Sequence, residues 1–129
     1  MTVFKVLVCG GRNYGKMVYE TMGPLNRLHV KYEFTHVIHG AQRGADTMAG
    51  DWAERNGIHA VPVKALWGRY GNAAGPIRNQ RMLELGPDLV VAFPGGSGTA
   101  DMVRRAKAAN IQVIEIAEGR RLEQYGNEL

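Results

Sequence analysis

The sequence predicts an α/β fold in one domain: a mostly parallel sheet of about five strands between two layers of helices. Three observations predict it. Short apolar runs alternate with helix-period segments along the chain. The first of those runs, Val3–Val8, is apolar almost continuously, as strands buried on both faces are. Glycine-rich stretches follow the runs, so the strand-to-helix turns hold nearly all the unusual residues.

The first strand is read at Val3–Val8, broken by Gly10-Gly11-Arg12-Asn13-Tyr14-Gly15. A helix follows with Val18, Met22, Leu25 and Leu28 at spacings of three and four. Gly23-Pro24 should kink it or split it in two, because an internal proline costs about 3 kcal/mol. The second strand lies near Thr35–His39, and Gly40 to Asp46 is its turn. The next helix presents Met48, Ala49, Trp52 and Ala53 on one face and closes at Asn56-Gly57. The third strand is Ile58–Val63.

Lys64–Gly75 reads as a long loop rich in glycine and aromatics. Pro76 fits the first position of the following helix, where its missing N–H does no harm. Ile77, Met82 and Leu85 give that helix its inner face. Strand four is Asp88–Phe93. The helix after it buries Met102, Val103, Ala106 and Ala109. Strand five is Ile111–Ile116. The domain is thus assigned to 1–116, and 117–129 to a polar C-terminal tail.

Composition bounds the function. The chain has 129 residues and a formal net charge of +4 from 16 basic and 12 acidic residues. That balance permits an anionic partner without indicating nucleic acid. No apolar stretch reaches the roughly 20 residues of a membrane span, and no secretion signal opens the sequence. The single cysteine, Cys9, cannot form an internal disulfide, so a cytoplasmic location is expected. Cys9 reads as a small buried residue rather than a reactive thiol.

The chemistry is expected where parallel sheets bind ligands, at the carboxyl ends of the strands. Pro94-Gly95-Gly96-Ser97-Gly98-Thr99 runs from strand four into a helix. Backbone amides at a helix start lack intrahelical partners and face the positive end of the dipole, so they attract anions. Thr99 reads as both a cap and a phosphate contact. Gly10, Gly11, Arg12 and Asn13, and Gly40, Ala41, Arg43, Gly44, Ala45 and Asp46, belong to turns at the same edge. Arginine's planar fork suits phosphate. Arg78 stands in the first turn of its helix beside Asn79, against the dipole, which points to an anion above it; Arg69 reads as surface charge. Asp46 and Asp101 are helix-start acids, serving either as dipole compensation or caps, or else on a ribose hydroxyl or in acid/base work. Trp67 and Tyr70 could stack on a base or pack beneath the loop, whereas Trp52 belongs to the core.

Several motifs are absent. Gly15-Lys16 is followed by Met17, so there is no Walker A site. Arg12 stands where a dinucleotide fingerprint needs its second glycine. His36 and His39 point to opposite faces of a strand, His29 and His59 lack partners, and no metal is expected. No histidine follows Gly96-Ser97-Gly98, so the Ser…Asp…His order is impossible.

Gly10-Gly11-Arg12, His39 to Asp46, Gly75-Pro76-Ile77-Arg78-Asn79-Gln80-Arg81 and Phe93 to Asp101 together resemble the YspA/YpsA-like branch of the SLOG superfamily, over about Val3 to Ile116. The resemblance implies a Rossmann-like fold and a nucleotide-derived ligand in the crevice of the glycine loops. It also admits a homodimer. In the related LOG phosphoribohydrolases, Pro-Gly-Gly-x-Gly-Thr-x-x-Glu is matched through Thr99, but Met102 holds the glutamate position and Asp101 is the nearest acid. Arg78 corresponds to their catalytic arginine. The related DNA-processing protein A family binds single-stranded DNA; this chain shows no basic run interleaved with aromatics.

Three functions follow as expectations. The first is binding of a phosphorylated nucleoside or ADP-ribose-like ligand, with N-glycosidic hydrolysis as the enzymatic form and Arg78, Asp46 and Asp101 as its catalytic candidates. The second is a sensor or sequestering protein without catalysis. The third is a single-stranded nucleic-acid module. No separate cofactor is expected.

Overall fold

The computed structural model describes residues 2–14 and 18–117. The tail expected from Ala117 lies outside these residues beyond 117, and so does the Gly15-Lys16-Met17 stretch. Five strands form one sheet, with β1 at Lys5–Cys9, β2 at His36–His39, β3 at His59–Pro62, β4 at Leu89–Ala92 and β5 at Val113–Glu115. Their order is β3-β2-β1-β4-β5, and every pairing is parallel. The fold is a Rossmann-like three-layer sandwich, as the alternation of runs required.

Helices α1 (Val18–Tyr32) and α2 (Ala45–Arg55) pack on one face. Their Leu25, Leu28, Ala49, Trp52 and Ala53 meet Val6, Val8, Val37 and Val91 from the sheet. Helices α4 (Ala74–Glu84) and α5 (Ser97–Ala108) cover the other face, where Met82, Met102 and Ala106 meet Leu7, Ile38, Val90 and Ala92. Odd and even positions of β1 therefore feed opposite cores, which is why the strand reads as a continuous apolar run.

Three local expectations are corrected. The first helix is not split: Pro24 sits inside α1. Pro24 lacks one backbone donor and should cost about 3 kcal/mol. Full burial of Leu25 and Leu28, each contributing roughly 1.5–3 kcal/mol, offsets that. The segment before α4 is not a plain loop. It contains a helical turn, α3 (Trp67–Tyr70), then a 3-10 turn at Gly71–Ala73, and α4 already starts at Ala74. Pro76 is thus the third helical residue, still among the first-turn positions whose N–H groups have no intrahelical acceptor. Finally, Leu85 and Ala109 are exposed rather than internal. The inner face of α4 is Ala74, Arg78, Asn79 and Met82.

The strand order places the topological switch between β1 and β4. The chain winds outward from β1 through β2 to β3, then crosses to β4 and β5. The crevice beyond the carboxyl ends of β1 and β4 is the place where such sheets bind ligands.

Candidate functional site

A cleft of about 630 Å³ opens at that switch point. Gly10, Gly11 and Arg12 follow β1 into it, and Gly96, Ser97, Gly98 and Thr99 follow β4. The two loops are tied together: the Gly11 N–H donates to the Pro94 carbonyl at 2.9 Å. A side chain at Gly95 would collide with the Thr99 hydroxyl and come within 2.8 Å of the Gly11 nitrogen. Only glycine allows this approach, and it brings the start of α5 to the mouth of the sheet.

Helix α5 has no side-chain cap. Thr99, its third residue, is therefore not the cap that was expected, although it lines the cleft. The Ala100 N–H bonds to the Gly96 carbonyl, so the intrahelical ladder begins there. The amides before it belong to the orphan donors of the first turn. They carry the positive end of the dipole toward the cleft.

Asp46 is also not a cap. The residue preceding α2 is Gly44, with no side-chain hydrogen bond. Gly44 has a φ of 87°, and a Cβ there would strike the Gly11 carbonyl. The β2 loop thus packs under the β1 loop. Asp46 turns inward and accepts the Gly40 N–H at 3.0 Å. It is 5% exposed and lines the cleft. Burial pushes its pKa up to about 6, against the opposing charge of Arg78 and hydrogen bonds from the Gly40 and Gln42 backbone.

Arg78 reaches the same place from α4. Its Nη1 donates to the Gly40 carbonyl at 2.6 Å and its Nε to Asn79 Oδ1 at 3.1 Å. It is 7% exposed. Burial lowers its pKa, the nearby Arg12 charge lowers it further, and Asp46 works the other way. The dipole argument for Arg78 needs correcting, since Arg78 is the fifth residue of α4 and is already held within the protein. It faces the cleft as a fixed cation with Arg12 beyond it.

Asn79 extends the chain of contacts. Its Nδ2 donates to the Gly98 carbonyl at 3.1 Å and to Asp101 Oδ2 at 3.0 Å. Asp101 also accepts from Arg104 and from Arg105 Nε at 2.8 Å. It is not a helix-start acid, being the fifth residue of α5. Burial would raise its pKa, but the Asn79 and Arg105 hydrogen bonds and the Arg105 and Arg104 charges outweigh this and hold it below the usual carboxylate range. The two acids thus differ in kind. Asp101 is a saturated, ionised structural anion, and Asp46 is a buried carboxyl that changes protonation near neutrality.

The structure brings twelve of the expected residues to the cleft: Gly10, Gly11, Arg12, Asp46, Trp67, Arg78, Asn79, Gly96, Ser97, Gly98, Thr99 and Asp101. It does not bring Asn13, Gly40, Ala41, Arg43, Gly44, Ala45, Pro94 or Gly95 to the lining. Gly40, Gly44, Pro94 and Gly95 shape the loops from behind. Arg43 is exposed; Thr47 holds the preceding carbonyl through its N–H and hydroxyl, and it is Gln42 that faces the cleft. Tyr70 and Arg69 stack on each other at 5.2 Å, away from the cleft. The lining further includes Cys9, Asn72, Gly75, Pro76, Met82 and Arg104. Burial and the Asp46 charge push the Cys9 thiol up to about 12, which favours the neutral thiol over the thiolate. Met102, at the glutamate position of the LOG motif, is fully buried in the α4–α5 core.

Fold and cleft together define a Rossmann-like domain with a glycine-loop crevice lined by arginines. The chain belongs to the YspA, cpYpsA-related SLOG family. The family model (YAcAr) matches residues 4–70. Gene 61 protein of Mycobacterium phage D29 is 33% identical over 121 residues, 88% of this chain and 97% of that protein. Two solved structures share the fold. The structural-genomics target TM1055 superposes with a TM-score of 0.68 at 21% identity, covering 86% of this chain and 72% of that one. The Moco carrier protein from Chlamydomonas reinhardtii gives 0.62 at 16% identity, covering 98% and 84%. Family membership points to nucleotide-related binding or processing. Among the described residues, no helix is long and apolar enough to cross a membrane.

Proposed function

We propose that the cleft binds a phosphorylated nucleoside or an ADP-ribose-like nucleotide. One observation carries this reading: the uncapped start of α5 opens into the cleft that also holds Arg12 and Arg78. A phosphate there satisfies orphan amides and complements the dipole. It also relieves the repulsion between two guanidinium groups facing one space. The Thr99 hydroxyl donates to the same phosphate. Asp46, buried in the cleft beside Arg78, faces the sugar and accepts from a ribose hydroxyl.

The enzymatic form of this function is hydrolysis of the N-glycosidic bond. Water forms a bond to the anomeric carbon while the carbon–nitrogen bond breaks. The base leaves with the bonding pair and takes up a proton. Positive charge grows on the ribose in the transition state, and a carboxylate aimed at it lowers the barrier. Asp46 suits that role better than Asp101, whose oxygens are already held by Asn79, Arg104 and Arg105.

A second reading, a sensor or sequestering protein without catalysis, is favoured by Met102. At its own position the glutamate of the phosphoribohydrolase motif is replaced by a buried apolar side chain. Titration of the chain with a panel of nucleoside monophosphates, followed by separation of free base from intact nucleotide, tests both. Released base supports the hydrolase, and tight binding with the nucleotide recovered whole supports the sensor. No binding across the panel overturns the nucleotide reading.

A further inference from the structure

We propose that Trp67, flanked by the side-chain amides of Gln42 and Asn72, is a nucleobase platform at the mouth of the cleft. The inference rests on the nucleotide reading of the same cleft and adds to it the part that recognises the base.

Trp67 lines the cleft and is 45% exposed. Core packing does not explain it, because α3 buries none of its four residues. The turn contributes no fully buried side chain and carries a large aromatic to the rim. The Arg12 guanidinium lies over the ring, 5.9 Å from its centroid. The ring lies against α4, where a Cβ on Gly75 would make ordinary contact with Trp67 Cη2 at 3.4 Å. Gln42 and Asn72 line the cleft too, and Gln42 Oε1 is 3.5 Å from Arg12 Nε. Each amide offers both a donor and an acceptor, the pair of functions that reads the edge of a base. Aromatic stacking supplies affinity for any base, and the amides supply selectivity.

The test is titration calorimetry with ribose 5-phosphate and adenosine 5′-monophosphate, on the wild type, Trp67→Ala and Trp67→Phe. Trp67 is outside the core, so both variants keep the fold. The wild type is expected to prefer the nucleotide over the sugar phosphate by roughly five- to hundred-fold. Trp67→Ala removes that preference and leaves the sugar phosphate within about two-fold of wild type, and Trp67→Phe restores part of it. Stacking also quenches Trp67 fluorescence, whereas buried Trp52 does not respond. Equal affinity of the wild type for both ligands overturns the platform and leaves the phosphate site standing. So does a Trp67→Ala variant that keeps the preference or loses both ligands alike. If neither compound binds the wild type, the nucleotide reading falls and this inference falls with it.

Discussion

Arg78 and Asp46 grip opposite ends of one residue. Gly40 gives its N–H to Asp46 Oδ2 at 3.0 Å and receives Arg78 Nη1 on its carbonyl at 2.6 Å. The buried cation and the buried acid thus communicate through a fixed backbone unit. The end of β2 is locked to α2 and α4 by one residue. That residue has no room for a side chain: a Cβ at Gly40 would strike Arg78 Nη1 and lie 2.6 Å from Asp46 Oδ2.

Gly40→Ala is therefore expected to lower stability by about 1–3 kcal/mol, the usual cost of overpacking, and to weaken ligand binding by turning Arg78. Chemical denaturation combined with ribose 5-phosphate titration checks this. An unchanged midpoint would contradict the tight grip.

Asp46 makes stability depend on pH in a defined direction. Its folded pKa is raised from 3.8 to about 6, so between those values the folded state holds a proton that the unfolded chain has lost. Unfolding free energy then falls as pH rises through this window and is level above it. The shift corresponds to a change on the order of 3 kcal/mol. Relative to Asp46→Asn, the wild type should lose about that much between pH 4 and pH 6.5. Denaturation of both proteins at each pH measures the difference, in which the contributions of other groups cancel.

Gly98 separates function from folding. A Cβ there meets no atom within 4 Å, because the space around it is the cleft. Gly98→Ala should raise stability by about 0.4–1 kcal/mol through the unfolded chain, while crowding the anion position and weakening phosphate binding. Thermal melts and calorimetry on the same samples check both halves.

The Cys9 thiol, pushed up to about 12 and 7% exposed, should resist alkylation at pH 8 in the folded protein and react fully in denaturant. Stoichiometric labelling of the native chain would reveal an activated thiol instead.

Met102→Glu should not restore a hydrolase. The position is fully buried among apolar side chains. An unpaired carboxyl there costs several kcal/mol, so the variant is expected to melt early. A stable variant that releases base would show that α5 can turn toward the cleft.

The strands and the β1, β2 and β4 turns were legible because apolar runs and glycines report directly on burial and tight backbone. The inner face of α4 was not. Arg78 and Asn79 are buried because Arg78 donates to Asn79 and to the Gly40 carbonyl while Asn79 donates to Gly98 and Asp101, whereas hydrophobic periodicity counts polar residues as outward-facing and so promoted Leu85. The same limit hid Gln42 behind Arg43. Gln42 lines the cleft and Arg43 is exposed, and charge alone did not say which one the Thr47 contacts would turn inward. Arg104 was missed because an exposed helical arginine two turns into α5 (Ser97–Ala108) carries no signal until the cleft is seen in three dimensions.

The adjacency of β1 and β4 has a consequence for how the molecule comes into being. Val6 to Cys9 align with Leu89 to Ala92, segments 83 positions apart in the chain (89 − 6). Neither the crevice nor its ring of amides exists until the later segment has docked. A nascent chain halted before Leu89 thus lacks one wall of the crevice, which closes only after the segment through Thr99 has been made.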